Sequence, residues 1–293
     1  MCKNAKMKYP PLGEFNSQDA LNKLKEQQRI RFLFCIGILF ALILGGSVIS
    51  GLGLILTIRM RTQIRELDNV SNIINVMETL LDEFSHYNIE IIPEVEVPKE
   101  TGIPKIDLFV RIPVEKVYFS ICVRKMERSK VVFHREKQRL MIRRKGRRGL
   151  NPLNPDPIDF LGSSTTWIQK NKRSIFGRAS NDRRRPCAKI LCLVGSTEVG
   201  KSDEERYTII GDCNFLIVRK DKNPIFLLHE KHAKNNLYRF IKNFIKANGK
   251  QESQKENQQD DLAKGKSKTA SEQRCRKTLR QPRSSRKLKS SNR

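Results

Sequence analysis

The 293 residues predict an α+β fold class with one transmembrane helix, a central mixed β-sheet flanked by helices, and a disordered basic tail. Three observations lead there. Residues 32–58 run for 27 positions without a charge. Between residues 62 and 247, helical periodicity gives way to short apolar strand patterns and then returns. From Asn248 onward there is no aromatic residue and almost no apolar one. The chain therefore divides into a polar segment (1–31), a membrane helix (32–58), an α+β domain (62–247) and a tail (248–293).

A helix over 32–58 would span about 40 Å at ~1.5 Å per residue, enough to cross a hydrocarbon core with tilt. Arg29 and Arg31 bound it on one side, and Arg59, Arg61 and Arg65 on the other. The apolar run is too long for a signal peptide, and no small-x-small cleavage pattern follows it. A single-pass membrane location is expected. The flanking charges barely set the orientation. Seven cysteines without a CxxC pair and a basic C-terminal region place the soluble domain in the cytoplasm. Gly37, Ala41 and Gly45, at four-residue spacing, would let two such helices approach closely and form a homodimer.

Charge is the strongest statement about function. There are 58 Lys and Arg against 31 Asp and Glu, a net +27. That balance excludes an ordinary neutral enzyme as the starting expectation and points to a polyanion, either nucleic acid or an anionic membrane surface. Most of the excess begins at Arg111. Residues 111–150 carry 14 basic and 3 acidic groups.

Taken in order, Leu67, Val70, Ile74, Met77, Leu81 and Phe84 fall three and four apart, with Ile73 and Leu80 beside them. The stripe is wider than a coiled-coil seam, so this helix packs on a sheet and ends near His86–Asn88. Segments 89–97, 105–112 and 117–125 read as strands, the first broken by Pro93. Residues 130–133 and 140–143 form a hairpin around HREKQR. The run NPLNPDP (151–157) excludes regular structure. A helix covers 163–176 with Ser163, Ser164 or Thr165 as its N-cap and Trp167 as its core anchor. Strands at 187–195, 207–211 and 214–219 precede a basic helix over 229–247. His86, His134, His229 and His232 lie among charged residues and read as surface groups.

Gly195, Gly200, Lys201 and Ser202 satisfy the phosphate-loop pattern GxxxxGK[ST] after a strand. The context fails it. Asp203, Glu204 and Glu205 fill the turn where a triphosphate would sit, and YTII continues as strand. The segment is read as a β-turn, with no nucleotide site.

The α-β-β-β-α-β order, with Asp107 opening one strand and Cys122-Val-Arg124 on the next, resembles the PD-(D/E)xK endonuclease-like superfamily, in particular its nuclease-related branch. Asn151-Pro152 and Gln169 are similar to that branch's Asn-Pro and helix Gln. The resemblance covers about 62–195. It implies a catalytic position for Asp107, with Cys122 where the family has Glu and Arg124 where it has Lys. A magnesium site needs at least two carboxylates. A thiol suits that hard cation poorly, and a guanidinium cannot serve as a base. A carboxylate moved elsewhere would be Glu78, Glu83, Glu90, Glu94 or Glu96. No cofactor is expected, or magnesium if the site is active.

Arg143, Arg144, Lys145, Arg147 and Arg148, and Arg183, Arg184 and Arg185, are the candidate nucleic-acid-binding residues, since such clusters grip phosphates without reading bases. The expected function is a membrane-anchored nuclease-like domain that binds nucleic acid without cutting it. Two alternatives stay open: a magnesium-dependent nuclease using Asp107 with a relocated Glu, and a scaffold held on anionic lipid.

Overall fold

The computed structural model describes residues 14–45, 50–95, 105–134, 136–154, 156–170, 186–200, 207–211, 213–219, 224–231 and 236–248. The chain divides at Ala247 into two units, and everything described except Asn248 belongs to the first. The expected basic tail and Arg183–Arg185 lie outside these residues.

The apolar run does not form one helix. Helix α1 (Ser17–Gly45) takes its first half and α2 (Ser50–Glu83) its second. The two lie antiparallel, fixed by ion pairs from Lys25 to Glu78 at 2.6 Å and from Arg31 to Glu66 at 3.7 Å. The single crossing expected over 32–58 is thereby corrected. Among the described residues, no helix is long and apolar enough to cross a membrane. The physical reason is length. From Phe32 to the end of α1 the rise is about 20 Å, short of a hydrocarbon core of ~30 Å. The sequence at the join, Gly45-Gly46-Ser47, is a poor helix former.

The segment before the apolar run is part of the fold. Asn16 caps α1, its Oδ1 accepting from the N–H groups of Gln18 (3.0 Å) and Asp19 (3.3 Å). Leu21 and Leu24 then enter the core beside Val70, Ile73, Met77 and Leu80 of α2. The wide stripe on α2 thus does pack on a sheet.

That sheet has seven strands in the order β1-β2-β3-β7-β11-β10-β9. Strands β1 (Glu90–Val95), β2 (Ile106–Ile112) and β3 (Val117–Lys125) form an antiparallel meander. β7 (Cys187–Val194) lies parallel to β3, and β11 (Ile225–His229) parallel to β7. The hairpin β9 (Tyr207–Ile210) and β10 (Cys213–Arg219) closes the far side. β2 and β7 are buried nearly throughout, as strands covered on both faces must be.

Strand β11 was not foreseen, and the helix expected over 229–247 starts later. His229 ends β11, and α4 covers 237–248. Asn236 sets the start, its side-chain oxygen accepting from the N–H groups of Tyr238 (2.9 Å) and Arg239 (3.0 Å). His229 is buried rather than at the surface.

A smaller sheet, β6-β5-β4-β8, is built from three strands of the β3-to-β7 crossover and from β8 (Glu198–Val199), which follows β7. Its hairpin is β4 (Ser129–His134) and β5 (Arg139–Arg144). The two-residue β6 (Asn151–Pro152) pairs with β5, so NPLNPDP does contribute regular structure. The helix after it, α3 (Pro157–Lys170), begins six residues before the expected start. Asp156 is the true N-cap, accepting from the Ile158 N–H at 3.0 Å, and Pro157 occupies the first helical position. The expected caps are interior. Ser163 and Ser164 instead donate to the carbonyls of Asp159 and Leu161. Trp167 packs half-buried against the cluster of Ile92, Phe109 and Tyr118. α1, α2 and α4 cover one face of the large sheet, and α3 covers the other.

Candidate nucleic-acid interface

Pairing of β2 with β3 sets Leu108 opposite Ile121, so Asp107 and Cys122 meet one step further on, on the α3 side. The residues singled out on these strands are brought together. Asp107 is almost fully buried, and its Oδ2 accepts from the Val123 N–H (2.8 Å) and from Arg124 Nη1 (2.7 Å). The same Arg124 nitrogen donates to the Val123 carbonyl at 2.7 Å. Burial pushes the Cys122 thiol well up; the Arg124 guanidinium pulls it back and the Asp107 carboxylate pushes it further. The result is a closed carboxylate–guanidinium pair beside a neutral thiol.

A divalent cation does not suit this donor set. The oxygen it would take is held by a guanidinium, and the thiol is soft and protonated. The relocated carboxylates also face cations. Glu90 pairs with Arg111 at 2.7 Å in full burial, Glu78 with Lys25, and Glu94 with Lys105. Glu83 lies in a cleft with His86, Tyr238, Arg239 and Lys242. Glu96 is outside the described residues. No group of three or more His, Cys, Asp and Glu residues is placed to hold a metal among the described residues.

The phosphate-loop pattern lies across the sheet join. Gly195 turns the chain after β7, and Glu198–Val199 forms β8, parallel to β4. The Gly200 N–H, which a phosphate loop would aim at its ligand, donates to the Val131 carbonyl at 2.8 Å. A Cβ on Gly200 would meet Val132 Cγ2 at 2.5 Å. Glycine is needed there for backbone approach between strands. Lys201 and Ser202 are outside the described residues.

The basic cluster forms a cleft of about 470 Å³ at the open end of the small sheet. Arg143, Arg144, Lys145 and Arg147 line it, together with Arg128, Ser129 and Lys130 from the start of β4 and Ser196 and Glu198 from the β7–β8 join. The register sets Lys130 beside Arg143 and Ser129 beside Arg144. Gly146 (φ 81°) and Gly149 (φ 116°) supply the left-handed turns that follow β5. Glu198 answers Lys130 at 2.8 Å and is the one carboxylate among the described residues that line the cleft. Arg148 is not part of the lining. Arg128 and Lys130 were missed as site residues, although a hairpin folded about HREKQR sets Lys130 against Arg143.

No family model, curated protein or solved structure matches this chain.

Proposed function

We propose that this protein binds nucleic acid through the phosphate backbone, at the cleft between the β4–β5 hairpin and the β7–β8 join, without cutting it. One observation carries the reading: among the described residues, six cations, Arg128, Lys130, Arg143, Arg144, Lys145 and Arg147, converge on one cleft against a single carboxylate, Glu198. Such a surface grips phosphates, and its planar guanidinium groups suit bidentate contacts. The elements run α2-β1-β2-β3 and, after the inserted strands β4, β5 and β6, α3-β7, and a degenerate nuclease-like origin for the scaffold is part of this proposal. With Arg124 closed on Asp107, the residues that would cut are engaged with each other.

The test is duplex-DNA binding by the full chain over a range of salt. Replacing Arg143, Arg144 and Arg147 with Ala should make the slope of log affinity against log salt shallower, by about one unit for each phosphate that is no longer neutralised. Preference among DNA sequences should stay unchanged, since phosphate contacts carry no base information. Glu198→Gln should act oppositely and tighten binding. Equal slopes for wild type and the triple variant would refute the cleft. Magnesium-dependent nicking of plasmid by the wild type, abolished in Asp107→Asn, would refute the absence of cutting.

A further inference from the structure

The basic cleft is walled by three separate pieces of chain: the start of β4, the turn after β5 and the β7–β8 join. Hydrogen bonds fasten these pieces to one another. The Lys145 N–H donates to the Arg128 carbonyl at 2.8 Å, and the Arg128 N–H donates to Ser196 Oγ at 3.0 Å. The space between them is about 470 Å³, or about 10 Å across if taken as a sphere.

The lining restricts what can enter. Apart from Gly146, every described residue there carries a charge or a hydroxyl. Among the described residues no ring lines the cleft, so nothing there can stack on a base. The part of a nucleic acid that fits is the phosphate, with sugar and base left outside. An internal phosphodiester carries a nucleoside on each side and offers one charge. A terminal phosphomonoester has a nucleoside on one side only, exposes three oxygens and brings about −1.5 to −2 charge at pH 7.

The charges and hydroxyls favour the terminal group. Glu198 answers Lys130, while among the described residues Arg128, Arg143, Arg144, Lys145 and Arg147 make no ion pair. Ser129 donates its hydroxyl proton to the Glu127 carbonyl at 3.0 Å. Ser196 is the acceptor in its bond to Arg128, which leaves its own proton for a ligand oxygen.

We propose that the cleft seats the phosphomonoester end of a nucleic-acid strand, with guanidinium groups on its oxygens, Ser196 donating to it and the adjoining backbone on the rim. This rests on the reading of the cleft as the nucleic-acid grip, and it names the part of the strand that the grip prefers.

The probe is a short single-stranded oligonucleotide ending in a 5′-phosphate, bound by the full chain, against the same strand ending in a hydroxyl. The phosphate-ended strand should bind about tenfold more tightly, the order of one charge-assisted hydrogen bond. A hydroxyl-ended strand two nucleotides longer carries the same total charge and should not match it. Replacing Arg143, Arg144 and Arg147 with Ala should abolish the preference, and because all three are exposed the circular dichroism should not change. Ser196→Ala removes no charge, so it should reduce the preference and leave the salt slope as it is. The preference should also shrink as pH falls through about 6, where the monoester takes up a proton. No histidine is among the described residues that line the cleft, and Glu198, the neighbouring Glu127 and the cations meet both strands alike. Equal affinity for the two ends, with a salt slope that still becomes shallower in the triple variant, would overturn the end preference and leave the backbone grip standing. A preference that survives the triple variant would overturn it too. So would displacement of the strand by inorganic phosphate at equal concentration, since the cleft would then take the free ion. A salt slope unchanged by the triple variant would remove the grip and this inference together.

Discussion

Cys122 shows how far a side chain's chemistry depends on its neighbours. In sequence it stands where a nuclease-like strand would carry a metal-binding Glu. In the fold it is buried between Asp107 and Arg124, and burial keeps its thiol protonated. Cys192, one strand over, is pushed up by burial as well. Since the thiolate is the nucleophile, both should resist iodoacetamide in the native protein at mildly alkaline pH. Among the described cysteines, the half-buried Cys187 and Cys213 should label first, and mass spectrometry of the digested protein distinguishes them. Rapid native labelling of Cys122 would mean that the Asp107 cluster opens. Asp156 makes the second prediction at this scale. Burial raises its carboxyl above the usual range, against the Ile158 and Leu140 N–H groups it accepts from. The folded chain therefore holds this proton more tightly than the unfolded chain. Its contribution to stability is complete below the ordinary Asp value of about 3.9 and is lost as pH rises through the folded value. Asp156→Asn cannot titrate. Wild-type stability minus that of the variant should fall with rising pH across the acid range and then level off, as read by urea unfolding. A difference that rises with pH would contradict the burial argument.

At the scale of elements, strand and helix periodicity located β1, β2, β3, the β4–β5 hairpin, β7, β9, β10 and the body of α2. Each rests on local alternation that packing then reinforced. The errors fall where local cues compete. Asp156-Pro157 is a strong start signal, but it sits inside a Pro-rich run that reads as loop. Ser163 and Ser164 look like caps, yet their hydroxyls return to the preceding turn. β11 is five apolar-rich residues beside a helix pattern, and what makes it a strand is distant pairing, with Ile225 set opposite Lys189 of β7. The join of β8 to β4 gives a prediction here. Gly200→Ala places a methyl against Val132 and the Val131 carbonyl. Overpacking of this kind costs about 1–3 kcal/mol, so the denaturant midpoint should fall and the small sheet should lose amide-exchange protection first. An unchanged midpoint would show that β8 can shift without penalty.

For the whole molecule, the net +27 is a property of composition, and its effect on association survives any detail of the fold. Residues 248–293 contribute 14 basic and 5 acidic groups. Removing them should make the salt dependence of DNA binding shallower and leave sequence preference unchanged, because the segment has no aromatic residue to stack on bases. A deletion that leaves the slope unaltered would assign the phosphate contacts to the cleft alone. By itself the sequence determined the α+β class, most strands and the basic charge excess, because these depend on composition and short-range periodicity; a shared place for Asp107, Cys122 and Arg124 is implied only by the family resemblance. Tertiary structure alone decided three things. It split the 27-residue apolar run between two antiparallel helices, since chain reversal depends on what the flanking segments pack against. It closed Arg124 onto Asp107, a contact 17 positions apart that only strand register specifies. And it gathered Arg128 and Lys130 with the arginines after β5 into one cleft, because like charges converge only where a packed core holds them against their own repulsion.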